Sequence, residues 1–170
     1  MKRLNSDFYN NPATTLAPML LGKLLCVNKN GVITCVRITE TEAYFGEEDT
    51  ACHAHKGRTP RTEVLYNAGG TIYVYLCYRI HHLMNIISGT EGHPESVLIR
   101  GVKGYNGPGK LTKHLGINMS FNKLNVYDSE VIWIEDDGFV PKEILSSPRI
   151  GIDYATEEYR NKPWRFYYID

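Results

Sequence analysis

At 170 residues, with 42% hydrophobic and 22% charged residues, the chain has the length and composition of one globular domain with a sizeable core, spanning residues 1–170. Nineteen Lys and Arg balance nineteen Asp and Glu, so the total charge does not advertise a polyanionic partner and the question moves to how charge is distributed. No apolar run approaches the roughly 18 residues of a membrane span and no apolar stretch follows Met-Lys-Arg-Leu-Asn, which excludes a membrane partner and predicts a cytoplasmic chain.

In chain order, Asn11-Pro12 reads as a helix start, with Leu16, Met19 and Leu20 as its apolar stripe and Pro18 shortening it. Lys23 to Val27 and Val32 to Glu40 read as strands joined at Asn30-Gly31, a hairpin signal. Period-two alternation puts Val32, Thr34, Val36 and Ile38 on one face, and a continuing strand adds Glu40, Glu42 and Tyr44 to that core-directed side. A carboxylate at the rim of an apolar face is partly desolvated, which raises its pKa and suits it to acid–base work. Thr71 to Cys77 is a strand with Ile72, Val74 and Leu76 on one side and Tyr73 and Tyr75 on the other; Leu83 to Ser88 returns beside it. The segment between them, Tyr78 to His82, lacks the Gly, Asn or Asp of an ordinary hairpin tip. Ser96 to Val102, Glu130 to Ile134 and Trp164 to Ile169 read as further strands, and Gly107 to Leu115 as a short helix. Short connections and few helices predict an α+β fold on a curved, mainly antiparallel sheet with peripheral helices and a protruding hairpin.

Charge is segregated. Glu40, Glu42, Glu47, Glu48 and Asp49 precede a block with His53, His55, Lys56, Arg58 and Arg61 and no acid. Residues 100–115 hold Arg100, Lys103, Lys110 and Lys113 without an acid, and residues 128–137 hold five acids. Cys26, Cys35, Cys52 and Cys77 show no C-x-x-C spacing and read as reduced, mostly buried thiols. Cys52, His53, His55, His81 and His82 match no familiar zinc spacing, so no metal is expected. Gly104 to Lys110 fits the phosphate-loop pattern, but Leu111 stands where the Mg²⁺-binding hydroxyl belongs and Pro108 removes an amide. Glu40 and Glu42, about 6.6 Å apart along a strand, resemble a glycosidase pair; Glu42, near aromatic Tyr44, is the better candidate. Tyrosines beside Arg, Lys and His read as a surface that stacks bases and contacts phosphates.

An ordered set of segments resembles the alkyladenine (3-methyladenine) DNA glycosylase family: Glu42-Ala-Tyr44 with His53 following, Gly70 to Tyr78 with Met84-Asn85, Val97 to Arg100, Gly107-Pro-Gly-Lys110, Ile117 to Phe121, Pro148-Arg149-Ile-Gly and Lys162-Pro-Trp-Arg-Phe-Tyr. The resemblance runs from about Leu16 to Tyr168. It implies a monofunctional, cofactor-free enzyme, monomeric and at the nucleoid in a bacterium, that hydrolyses the N-glycosidic bond of alkylated purines in double-stranded DNA. Glu42 would activate water; Tyr44, His53 and Tyr75 would flank the flipped base; Asn85 would crowd the amine of normal guanine; Tyr78 would wedge into the duplex. Arg100 would line the site, while Arg58, Thr59, Arg61, Lys110 and Arg149 would hold phosphates. The alternatives are a non-catalytic reader of damaged or distorted nucleic acid and a P-loop or glycoside hydrolase.

Overall fold

The computed structural model describes residues 1–169. Its strands are β1 (Lys2–Arg3), β2 (Leu24–Lys29), β3 (Val32–Tyr44), β4 (Ile72–Cys77), β5 (His81–Ser88), β6 (Glu95–Val102), β7 (Tyr105–Asn106), β8 (Ile132–Asp136), β9 (Leu145–Ser147) and β10 (Arg165–Tyr167). The α-helices are α1 (Ala13–Met19), α2 (Pro108–Leu115) and α3 (Glu157–Arg160). Strand pairing is antiparallel, in the order β1-β8-β2-β3-β6-β5-β4, with β7 added to β6 and the β9–β10 pair added to β3. This is the α+β architecture that the pattern of short connections predicts.

The Asn30-Gly31 signal produces the β2–β3 hairpin: both residues have positive φ (52° and 85°), and Lys29 pairs with Val32. The hairpin end projects, leaving Val32 and Ile33 69% and 56% exposed, so the core face does not begin at Val32 as the alternation suggests. The same register sets Cys26 opposite Cys35, and the two form a disulfide, which corrects the expectation of reduced thiols there. Cys52 and Cys77 are free.

β3 is the hub. Its first half pairs with β2, and its second half lies between β6 and β10. Register shifts against β6 on either side of Glu40 change which residues share a face. Ile38 and Ala43 belong to the main core, and the Thr41 hydroxyl donates to the Ala17 carbonyl of α1 at 2.8 Å. Tyr44 packs instead with two smaller clusters around Tyr73 and Ile152. The expected single face running from Val32 to Tyr44 is therefore wrong: an inserted residue in a strand inverts the alternation beyond it. Glu42 thus faces a cleft rather than the main core.

α1 begins at Ala13 with Pro12 as its cap, one residue later than read, and Pro18 occupies its last turn. Leu16 and Leu20 are fully buried, Met19 is not. α2 starts with Pro108 and ends at Gly116 with φ of 70°. Leu111 is fully buried in the core, so the phosphate-loop pattern lacks its hydroxyl. β8 starts two residues later than expected because the Ser129 hydroxyl takes the Val131 and Ile132 amides at 3.1 and 3.3 Å. His81 and His82 belong to β5, opposite Cys77 and Leu76, which shortens the hairpin tip to Tyr78, Arg79 and Ile80.

Candidate active site and nucleic-acid interface

Glu42 pairs in register with Leu98 of β6 and Arg165 of β10, and its side chain has no solvent exposure. Oε2 accepts the Ile150 amide at 2.8 Å, and Oε1 accepts the Tyr44 hydroxyl at 3.2 Å and lies 3.9 Å from Arg100 Nη1. Burial dominates over these partners and raises its pKa above the usual carboxylate value. A carboxylate so placed is a competent proton acceptor. Glu40 is engaged differently: its Oε1 accepts from Arg100 Nε at 3.0 Å and from Arg165 Nε at 2.5 Å. It is not a second free carboxylate, so the glycosidase-like pair is not formed.

The cleft over Glu42 has a volume of about 480 Å³, and its walls include Tyr44, His53, Tyr75, Tyr78, Arg100 and Lys110. Alternation on β4 turns Tyr73 and Tyr75 to one side, where His53 meets both rings edge-on at 5.9 and 4.6 Å. His53 Nδ1 is 2.9 Å from the Tyr73 hydroxyl. Burial, with Arg61 nearby, lowers the His53 pKa to about 4, so the ring is uncharged at neutral pH. Burial raises the Tyr44 and Tyr75 pKa values, so both phenols stay protonated. Asn85 is buried and lines, with these rings, a small recess of about 30 Å³, and its amide donates to the Tyr73 carbonyl at 3.3 Å.

Tyr78 stands at the hairpin tip, 87% exposed, with φ of 49°; Arg79 follows with φ of 58°. The turn closes through the Ile80 amide and the Cys77 carbonyl at 3.1 Å. Left-handed backbone costs about 1–2 kcal/mol per non-glycine residue. The anomaly in the sequence is thus real: the chain makes a tight turn with residues unsuited to it and presents an aromatic ring to solvent.

The expected phosphate-holding residues separate. Lys110 is exposed at the start of α2 and Arg61 lies 5.5 Å from the centre of the Tyr75 ring, both on the rims of clefts. Arg58 is exposed beside them, with both guanidinium arms on Glu63 at 2.7 Å. Thr59 is bonded to Thr62 through its amide and hydroxyl at 2.8 and 3.0 Å, shaping that loop. Arg149 does not fit the role. Its side chain is fully buried, donates to both Asp49 oxygens at 2.6 and 2.9 Å and to the Ala43 carbonyl at 3.0 Å, and lies under the Tyr44 ring at 4.8 Å. A guanidinium with these commitments holds the site together and has no face left for a phosphate. The acids of residues 128–137 lie toward the β1–β8 end of the sheet, where Asp136 and Asp137 pair with Lys23 and Arg37, away from the β4–β5 hairpin.

Two contributors escaped the reading of individual residues. Ile150 acts through its backbone amide, and Tyr154 closes the cleft while its hydroxyl donates to the Ala51 carbonyl at 2.8 Å. The only signal for either was the Pro148-Arg149-Ile-Gly segment. Of the residues weighed as metal ligands, the Cys52 thiol lies against the Pro94 carbonyl and His55 Nδ1 against the Glu47 carbonyl. No described helix is long and apolar enough to cross a membrane.

A family model described as methylpurine-DNA glycosylase (MPG) matches residues 7–105 and 103–170. Relatives named "Putative 3-methyladenine DNA glycosylase" include one from Borreliella afzelii, 42% identical over 94% of this chain and 92% of its own length. Those from Clostridium perfringens and Psychrobacter cryohalolentis are 43% and 42% identical, over 99% and 96% of this chain and 96% and 89% of their own lengths. With the fold and the cleft described above, these matches establish that the chain belongs to the methylpurine-DNA glycosylase family, DNA repair hydrolases of N-glycosyl bonds.

Proposed function

We propose that residues 1–170 work as one domain and as a monomer on double-stranded DNA, at the nucleoid of a bacterial cell. There the chain excises alkylated purines such as 3-methyladenine. The observation that carries this reading is the buried Glu42 carboxylate under an aromatic cleft whose flanking imidazole is uncharged. A base stacked in a duplex is out of reach, so the nucleotide must flip, at a cost of a few kcal/mol that is smallest for a damaged pair. Tyr78 at the exposed tip fills the gap it leaves, and Arg58, Thr59, Arg61 and Lys110 hold the backbone.

An alkylated purine is cationic. The faces of Tyr44 and Tyr75 attract it, at about 0.5–2 kcal/mol each, while a neutral His53 stacks without repelling it. Asn85, beyond the rings, crowds the exocyclic amine of normal guanine, and Arg100 lines the approach. Glu42 removes a proton from water, the oxygen bonds to C1′, and the glycosidic pair of electrons leaves with the base. The cationic base needs little help as a leaving group, which is consistent with one free carboxylate rather than two. No lysine lies in the Glu42 segment itself; Lys110 reaches the cleft from its rim, and water is the nucleophile in this scheme.

Single-lesion duplexes bearing 3-methyladenine, 7-methylguanine, hypoxanthine or ethenoadenine, assayed for free base without added metal, test the reading. Release from at least one alkylated duplex is expected. Binding without release from any of them would leave a non-catalytic reader, and turnover of free glycosides or nucleotides would point to the other hydrolases.

A further inference from the structure

Glu40 is the acid next to the site that the scheme above leaves without a task. Its Oε1 accepts both Arg100 Nε at 3.0 Å and Arg165 Nε at 2.5 Å, and Arg165 is fixed further by the Ser147 hydroxyl at 2.9 Å. Arg165, Glu40, Arg100 and Glu42 thus alternate in charge across β10, β3 and β6. The chain has one loose joint: Arg100 Nη1 is 3.9 Å from Glu42 Oε1, longer than a hydrogen bond.

The backbone is shaped for this spacing. Gly101 pairs with Glu40 and Ile99 with Thr41, so Arg100 sits opposite no residue of β3, in a bulge that re-aims its side chain. A Cβ on Gly101 would come within 3.2 Å of Glu40 Cβ and 3.1 Å of Thr39 Oγ1, so β3 and β6 pack closely beside Glu40.

Resting on the assignment of Glu42 as the base, we propose that Glu40 and Arg165 are positioning residues that hold Arg100 beside Glu42, within ion-pair range, without letting it hydrogen-bond to that carboxylate. A hydrogen-bonded guanidinium would stabilise the ionised form, weaken Glu42 as a base and fill the space beside Oε1. The other groups facing Glu42 are Tyr44 from its own strand, Tyr75 from β4, and Arg149 and Tyr154 from the segment before α3. The tyrosines stay protonated and Arg149 is locked by Asp49, whereas Arg100 needs only a side-chain rotation to close its gap. Arg165 faces Glu40 rather than Glu42.

The test is the pH profile of single-turnover base release on whichever lesion duplex the wild type cleaves fastest. Glu40→Gln should move the acidic limb about one unit lower and reduce the plateau about tenfold. Arg165→Met should move the limb in the same direction, Arg165→Lys should restore it, and adding Glu40→Gln to Arg100→Met should move nothing further. A limb at the wild-type position in both Glu40→Gln and Arg165→Met overturns the proposal, as does a shift that persists without Arg100. Glu42→Gln run in parallel separates the two readings: if it still releases base, the assignment of the base has failed. If it is inactive while the Glu40 and Arg165 variants titrate like wild type, only the positioning role has failed.

Discussion

Replacing Arg149 by Met asks whether this arginine holds DNA or holds the protein. Both partners of the Arg149–Asp49 pair have fully buried side chains, and the guanidinium also serves the Ala43 carbonyl and lies 4.8 and 5.1 Å from the Tyr44 and Trp164 ring centres. Removing one member of a buried pair strands the other charge, at about 3–5 kcal/mol. For a chain of this length each kcal/mol lowers Tm by about 2–4 °C, so Arg149→Met should melt about 6–20 °C below wild type. Adding Asp49→Asn removes the stranded carboxylate and should recover part of that loss. Thermal unfolding at neutral pH checks the stability, and the salt dependence of lesion-duplex binding below the variant's Tm checks the interface. The slope should stay at its wild-type value. A Tm within about 2 °C of wild type, with a slope smaller by about one, would mean that Arg149 holds a phosphate rather than the protein.

The buried base is also a liability for the fold. Glu42 has its folded-state pKa raised above the ordinary 4.5, so its contribution is intact below that pH and is lost as pH rises through the folded value. Gln keeps an acceptor for the Ile150 amide, so Glu42→Gln should gain about 1 kcal/mol at pH 7 and nothing near pH 4. A Tm series across pH reads this, and a variant less stable throughout contradicts it. At the hairpin tip, Arg79→Gly relieves a φ of 58° and should raise stability by about 1 kcal/mol, measurable by urea unfolding; a loss would mean that the Arg79 side chain is itself holding the turn. Tyr78→Ala, at an 87% exposed position, should leave Tm unchanged and weaken lesion-duplex binding about tenfold or more; wild-type affinity would argue against the wedge.

What was legible from sequence was whatever short-range chemistry determines. Asn30-Gly31 gave the hairpin, and the β-branched and aromatic run gave β4 with Tyr73 and Tyr75 on one side. The disulfide was also within reach: a two-residue turn at Asn30-Gly31 pairs residues whose numbers sum to 61, and Cys26 and Cys35 do so. The bulge around Glu40 was not, because nothing in β3 alone says that β6 will skip Arg100. The second irregularity, the extra β3 residue Thr39 between Ile38 and Glu40, decided which face Glu42 shares. The phosphate role of Arg149 came from the family resemblance alone, and its meeting with Asp49, 100 residues earlier in the chain, is not visible in the Pro148-Arg149-Ile-Gly segment itself. The role of Ile150 rests on a backbone amide, which every residue but proline carries and no composition reveals.

The proposed chemistry depends on Glu42 activating the water. The most direct measurement compares Glu42→Gln with wild type on a duplex carrying one alkylated purine, recording binding and single-turnover release of the free base together. Lesion binding close to wild type and a release rate lower by about 10²–10⁴-fold are expected. Release at the wild-type rate would contradict that chemistry.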